Sequence, residues 1–103
     1  MTFVESSIFE RLLPVYLDDD EYTELQQHLM QQPEAGELVR GFGGVRKLRW
    51  SRPGMGKRRG LRVIYYVQFE PSEFWMLTLY SKSKKSTVPG HILKALLEAF
   101  RDE

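Results

Sequence analysis

Apolar residues along the chain follow two rhythms, and together these predict most of its elements. The segments LRVIYYVQF (61–69) and FWMLTLY (74–80) are rich in β-branched and aromatic residues, and EPSE between them is a turn, so they read as a β-hairpin. VRKLRW (45–50) alternates apolar and charged positions for part of its length, as a strand does. Phe3 and Val4 favour a short first strand over Thr2 to Glu5, and Ser6-Ser7 offers hydroxyls to cap a following helix through IFERLL. Pro14 is expected to interrupt or end that helix, because proline lacks an amide hydrogen and clashes with the preceding turn. Asp18 with Glu21 three residues later matches a capping box, and Tyr22, Leu25 and Leu29 share one face of a second helix that Pro33 and Gly36 close. Leu93, Leu96, Leu97 and Phe100 recur at the spacing of a final amphipathic helix.

The predicted order is strand, helix, helix, three strands, helix. It describes an α+β domain with an antiparallel-rich sheet packed against two N-terminal helices, with a C-terminal helix. GFGG (41–44) divides the helical part from the strands, while SRPGMGKRRG and the stretch Ser81 to Gly90 are polar, basic loops. The 103 residues suit a single domain spanning 1–103. With 42% hydrophobic and 13% aromatic residues, the chain has enough apolar surface to offset the entropy of ordering it.

Composition then narrows the chemistry. The chain has no cysteine, which removes disulfides and thiolate metal sites and suits a cytoplasmic protein. The N-terminal segment lacks the pattern of an export signal, and no apolar run is long enough to cross a membrane. Net charge is only +1, but the charges are segregated. Residues 1–37 carry nine carboxylates against Arg11 alone, whereas 38–103 carry fourteen Lys and Arg against five carboxylates. Such asymmetry implies a basic face for a polyanion.

Eight cations fall between Arg46 and Arg62 with no carboxylate among them. The run has two readings, a solvated loop with ion pairs to the acidic helices, or an anion site. Its placement on strands favours the second. Alternate strand residues share a face, so Lys47 and Arg49 point together, as do Arg62, Ile64 and Tyr66, and again Thr78, Tyr80 and Lys82. Arg62 opens an otherwise apolar strand, where a guanidinium offers a planar fork of donors for phosphate oxygens and keeps its charge. Lys82, after the last strand, would lie near other positive charges that disfavour its protonated form, which suits a group that moves protons. Tyr80 either packs in the sheet or contacts a base or phosphate.

Other chemistries find little support. His28 and His91 are far apart and outside any motif, so no metal is expected and no cofactor is implied. GFGG precedes a strand rather than the helix that a phosphate-binding glycine loop requires.

Taken together, GFGGVRKLRW, the Gly/Lys/Arg spacing of GMGKRRGLRVIYY, the ending LTLYSKSKK and the opening FVESSIFE resemble RelE/HigB toxins of type II toxin-antitoxin systems, nearest the HigB-like branch. The resemblance runs from about Phe3 to Lys85. It implies a RelE-like small domain and a metal-independent, ribosome-dependent endoribonuclease, in which the ribose 2′-hydroxyl of messenger RNA in the A site attacks the adjacent phosphate. By that resemblance the catalytic residues are Arg62, which steadies the phosphate, Lys82 or Lys47, which exchange protons, and Tyr80, which orients a base or the phosphate. RNA binding falls to Arg49, Lys57, Arg58, Arg59, Lys84 and Lys85. After Lys82 the chain departs from the HigB-like pattern of an Asn and acidic residues, carrying Ser83-Lys84-Lys85-Ser86 instead, which would add grip on ribosomal RNA. The implied partners are a cognate antitoxin, expected to bind DNA, and the ribosome with its messenger and ribosomal RNA. Two other functions fit such a domain: a non-enzymatic ParE-like toxin that binds DNA gyrase, and a plain RNA-binding module.

Overall fold

The computed structural model describes residues 1–51, 60–81 and 88–101. Strand β1 (Thr2–Glu5) leads into helices α1 (Ser7–Tyr16) and α2 (Asp19–Gln31). Strands β2 (Glu37–Leu38), β3 (Val45–Trp50), β4 (Leu61–Phe69) and β5 (Ser72–Ser81) follow, and helix α3 (Gly90–Arg101) closes the described chain. The five strands form one sheet in the order β1-β5-β4-β3-β2. All neighbouring pairs are antiparallel except β1 with β5, which makes the sheet mixed but antiparallel-rich.

Local signals explain the helices. Ser6 caps α1 by accepting from the Phe9 amide, and its hydroxyl also donates to the Leu77 carbonyl, so one side chain starts the helix and fastens it to β5. The Asp18–Glu21 capping box is present in both directions. Pro14, expected to interrupt or end α1, sits inside it, and the helix continues to Tyr16. The reason is position. Pro14 lies in the last turns and is exposed, so the Glu10 carbonyl that loses its amide partner can turn to water, while the Leu17 amide still closes onto the Leu13 carbonyl.

The sheet buries both faces. On one, α1 and α2 bring Phe9, Leu17, Leu25 and Leu29 against Leu48, Leu61, Val63, Tyr65, Phe74, Met76 and Leu79. On the other, α3 brings Leu93, Leu96 and Leu97 against Val45, Ile64, Leu77 and Tyr80. Burial on two sides accounts for the near-continuous apolar runs of β4 and β5, which lack the simple alternation of a half-solvated strand. A bulge interrupts the β4–β5 ladder: Ile64 pairs with Thr78 and Tyr65 with Met76, leaving Leu77 as the extra residue. Strand β5 is longer than the spacing predicts, starting at Ser72 and ending at Ser81. The two-residue β2 is too short to carry a periodic signal of its own.

Candidate functional site

Register decides which of the basic residues meet. Arg49 on β3 pairs with Arg62 on β4, and Arg62 pairs with Tyr80 on β5, so the three stand in one row across three strands. The next row, Lys47, Ile64 and Thr78, lies on the same face. Four of the residues singled out from the sequence, Lys47, Arg49, Arg62 and Tyr80, are therefore neighbours on the face that carries α3. Arg46 points the other way. It pairs across the ladder with Tyr65, and its guanidinium binds the Glu34 carboxylate at 3.0 Å and the Gly36 carbonyl at 2.7 Å. The ion-pair reading of the basic run holds for Arg46.

Arg62 is the anomalous member of the row. Only 9% of it is exposed, yet among the described residues the single hydrogen bond of its side chain is a long one, 3.4 Å to the carbonyl of Leu61, and no carboxylate forms an ion pair with it. A buried cation without a counter-charge is costly, and Arg49 directly opposite adds like-charge repulsion. An arriving anion would relieve both terms, with the fork of guanidinium donors already held in place by the strands.

Tyr80 carries a second unsatisfied group. It is 5% exposed, and its hydroxyl is buried without a hydrogen-bond partner among the described residues. Leaving such a group unpaired costs about 1–3 kcal/mol. Burial pushes its pKa above the usual tyrosine range, and the charge of Arg62 opposes that shift, so the guanidinium's field reaches the phenol. At neutral pH the hydroxyl keeps its proton and can donate. The row thus presents a fixed cation, an exposed cation and a neutral donor to whatever binds there.

Lys82, Lys57, Arg58, Arg59, Lys84 and Lys85 lie outside the described residues. Thr78 also joins the site. Alternation puts it on the face of Tyr80, as the sequence implies, and its pairing with Ile64 follows from the bulge at Leu77, for which the sequence has no Gly or other marker. The histidines stand away from the row. His28 stacks at a tilt on Trp50, 5.2 Å between ring centroids, and His91 is exposed at the start of α3. Among the described residues there is no group of three or more His, Cys, Asp or Glu able to hold a metal, and no helix long and apolar enough to cross a membrane.

No protein-family profile matches the chain. Solved structures do. A mutant of the E. coli toxin RelE, determined in the free state, aligns with a TM-score of 0.55 over 95% of this chain and 95% of that one. The fold is RelE-like. Sequence identity over the alignment is 15%, so the likeness is one of architecture, and the roles of individual residues rest on the geometry of the row.

Proposed function

We propose that the chain is a toxin of the RelE/HigB kind, of the HigB-like branch, that cleaves messenger RNA in the ribosomal A site. The observation that carries this reading is Arg62, buried without a carboxylate among the described residues, in register with Arg49 and Tyr80 on one face of a RelE-like sheet. In the proposed reaction the ribose 2′-oxygen bonds to phosphorus, the bond from phosphorus to the 5′-oxygen breaks, and the products are a 2′,3′-cyclic phosphate and a 5′-hydroxyl. The 2′-hydroxyl proton passes to a lysine, Lys47 or Lys82, and the departing 5′-oxygen takes a proton from a neighbouring acid. Arg62 stabilises the charge that accumulates on the phosphoryl oxygens, a role for preorganised cations and donors in a site that excludes water. Tyr80, protonated, donates to the phosphate or orients a base. The reaction as written uses Lys and Arg where other nucleases use a metal.

Lys57, Arg58, Arg59, Lys84 and Lys85 would supply further cations for ribosomal RNA, and such binding weakens steeply with salt. A cognate antitoxin would neutralise the basic face or keep it from the ribosome, and both partners place the chain in the cytoplasm. Primer extension on translated messages is the deciding experiment. The wild-type chain should produce A-site cuts, and Arg62→Ala should lose them by roughly 100- to 1,000-fold, the usual cost of removing one such donor. Equal cutting by Arg62→Ala, or no cuts with the wild type, would overturn the reading. Inhibition of gyrase supercoiling by the purified chain would support the ParE-like alternative instead.

A further inference from the structure

Strand β1 covers the edge of β5 only as far as Met76, and beyond it α1 and α3 flank the rest of the strand without closing over it. The result is a groove of about 340 Å³ whose walls include Leu12 and Tyr16 of α1, Thr78 and Tyr80 of β5, and Ile92 and Leu96 of α3. Tyr80 belongs to this groove and to the cationic row at once. We propose that the groove is a nucleobase subsite, which holds the base of a nucleotide whose phosphate lies on Arg62. This rests on the RNA-cleaving reading of the row and adds to it the part of the substrate that carries sequence information.

Three observations select a base over other occupants. Among the described residues the lining contains no charged side chain, so it suits a neutral group beside a site built for an anion. It joins tyrosine rings to branched aliphatic side chains, and a nucleobase presents an apolar π-face to such walls. Tyr80, more than nine-tenths buried with its hydroxyl unpartnered among the described residues, lacks the kind of polar partner that a base edge supplies. The volume lies at the lower end of the ~300–1,000 Å³ typical of small-ligand pockets. Continuity with the row matters most, because a phosphate held at Arg62 brings its own nucleoside to the wall formed by the neighbouring Tyr80.

The test uses purified full-length chain and 2′-O-methyl RNA trinucleotides, which cannot be cleaved, carrying each of the four bases or abasic positions. At least one base-containing probe should bind about tenfold more tightly than its abasic counterpart, in line with the stacking contribution of a single base. Ile92→Trp, at a wall residue that is 38% exposed, fills the groove from the α3 side, and Leu12→Phe fills it from α1. Either variant should abolish the tenfold difference while leaving affinity for the abasic probe unchanged. Arg62→Ala should weaken both probes together. Equal affinity for intact and abasic probes, or a difference that survives in both folded groove variants, would overturn the proposal. An apolar peptide that displaces nothing from the row yet protects the groove residues from solvent would overturn it as well. Base-dependent binding without cleavage in translating extracts would remove the catalytic reading and leave the subsite standing.

Discussion

The two buried tyrosines of β4 and β5 should respond in opposite directions to the same substitution. Tyr65 is fully buried, and its hydroxyl donates to the Pro33 carbonyl at 2.8 Å and accepts from the Gly36 amide at 3.0 Å, joining β4 to the segment between α2 and β2. Gly36 itself is buried against the Tyr65 ring, so no side chain there could take over the contact. Tyr65→Phe therefore leaves a buried amide and a carbonyl unpaired, at a cost of about 1–3 kcal/mol. Tyr80→Phe removes a hydroxyl that has no partner among the described residues, and the same desolvation penalty is returned to the folded state. The expected gain is about 1 kcal/mol, the lower end of that range. For a domain of this size about 1 kcal/mol corresponds to roughly 4–8 °C in Tm. Urea denaturation with an unchanged slope separates a true stability change from an altered unfolded state. Under the proposed function, cleavage should move against stability: Tyr80→Phe should be the more stable and the less active protein. A Tyr80→Phe variant destabilised as much as Tyr65→Phe would show that the hydroxyl is satisfied in the free protein, and the argument for an unsatisfied donor in the row would fail.

High pH should destabilise the fold through its tyrosines. Burial is the first cause that raises Tyr22, Tyr65 and Tyr80 above their ordinary value of 10, so the folded chain keeps protons that the unfolded chain releases. Their contribution is flat below about pH 10 and becomes destabilising above it, by up to about 1.4 kcal/mol per pH unit for each group. Denaturation curves between pH 8 and 11 should show a shallower decline in each Tyr→Phe variant, and an unchanged slope in Tyr80→Phe would contradict the assignment. At the Arg46 clip, Glu34→Gln should change stability by less than about 0.5 kcal/mol, because Glu34 is 66% exposed, whereas Arg46→Ala should cost more by also removing the bond to the Gly36 carbonyl. Equal losses for the two variants in urea titrations would assign the whole effect to the ion pair. Gly44→Ala should destabilise the turn before β3, since Gly44 has φ +109° and an added Cβ would come within 3.0 Å of the Tyr66 ring.

Elements whose signals are local were legible in the sequence, and those that depend on distant partners were not. The capping box fixed the start of α2, alternation of apolar and charged positions marked β3, and β-branched and aromatic runs marked β4 and β5, because each signal lies within a few residues of the element it specifies. The parallel pairing of β1 with β5 joins segments some seventy residues apart and leaves no trace in either. Pro14 misled because proline's penalty depends on whether the freed carbonyl can reach water, which only the packed helix reveals. The same division applies to the site. Period-two alternation was enough to set Lys47 with Arg49 on one face of β3, but the coincidence of that face with Arg62 and Tyr80 is a matter of register between strands. The same alternation turns Arg46 to the opposite face, whereas its pairing with Glu34 across the α2–β2 connection depends on the fold.

The face that holds the row also explains why it can be kept there. Helix α3 is fixed to that face partly by an aromatic stack in which Phe100 lies on Trp75 at 5.3 Å and Trp75 in turn meets Tyr66 at 5.1 Å. Tyr66 and Trp75 are paired across β4 and β5 four residues along β4 from Arg62, a separation of about 13 Å. Stabilisation by aromatic area is thus concentrated toward the hairpin turn, and the cations occupy the opposite end of the same strands. Between them Ile64 and Leu77 are buried under α3, forming a low-dielectric wall beside Arg62. Such a wall strengthens the interaction of Arg62 with an anion relative to the same pair in water, and it also raises the cost of leaving Arg62 alone. Substitutions that extend the apolar cover toward Arg62 should therefore be neutral for folding only if they also supply a counter-charge. The sheet tolerates a guanidinium that has no carboxylate partner among the described residues because the packing of α3 on that face supplies stability that does not depend on it.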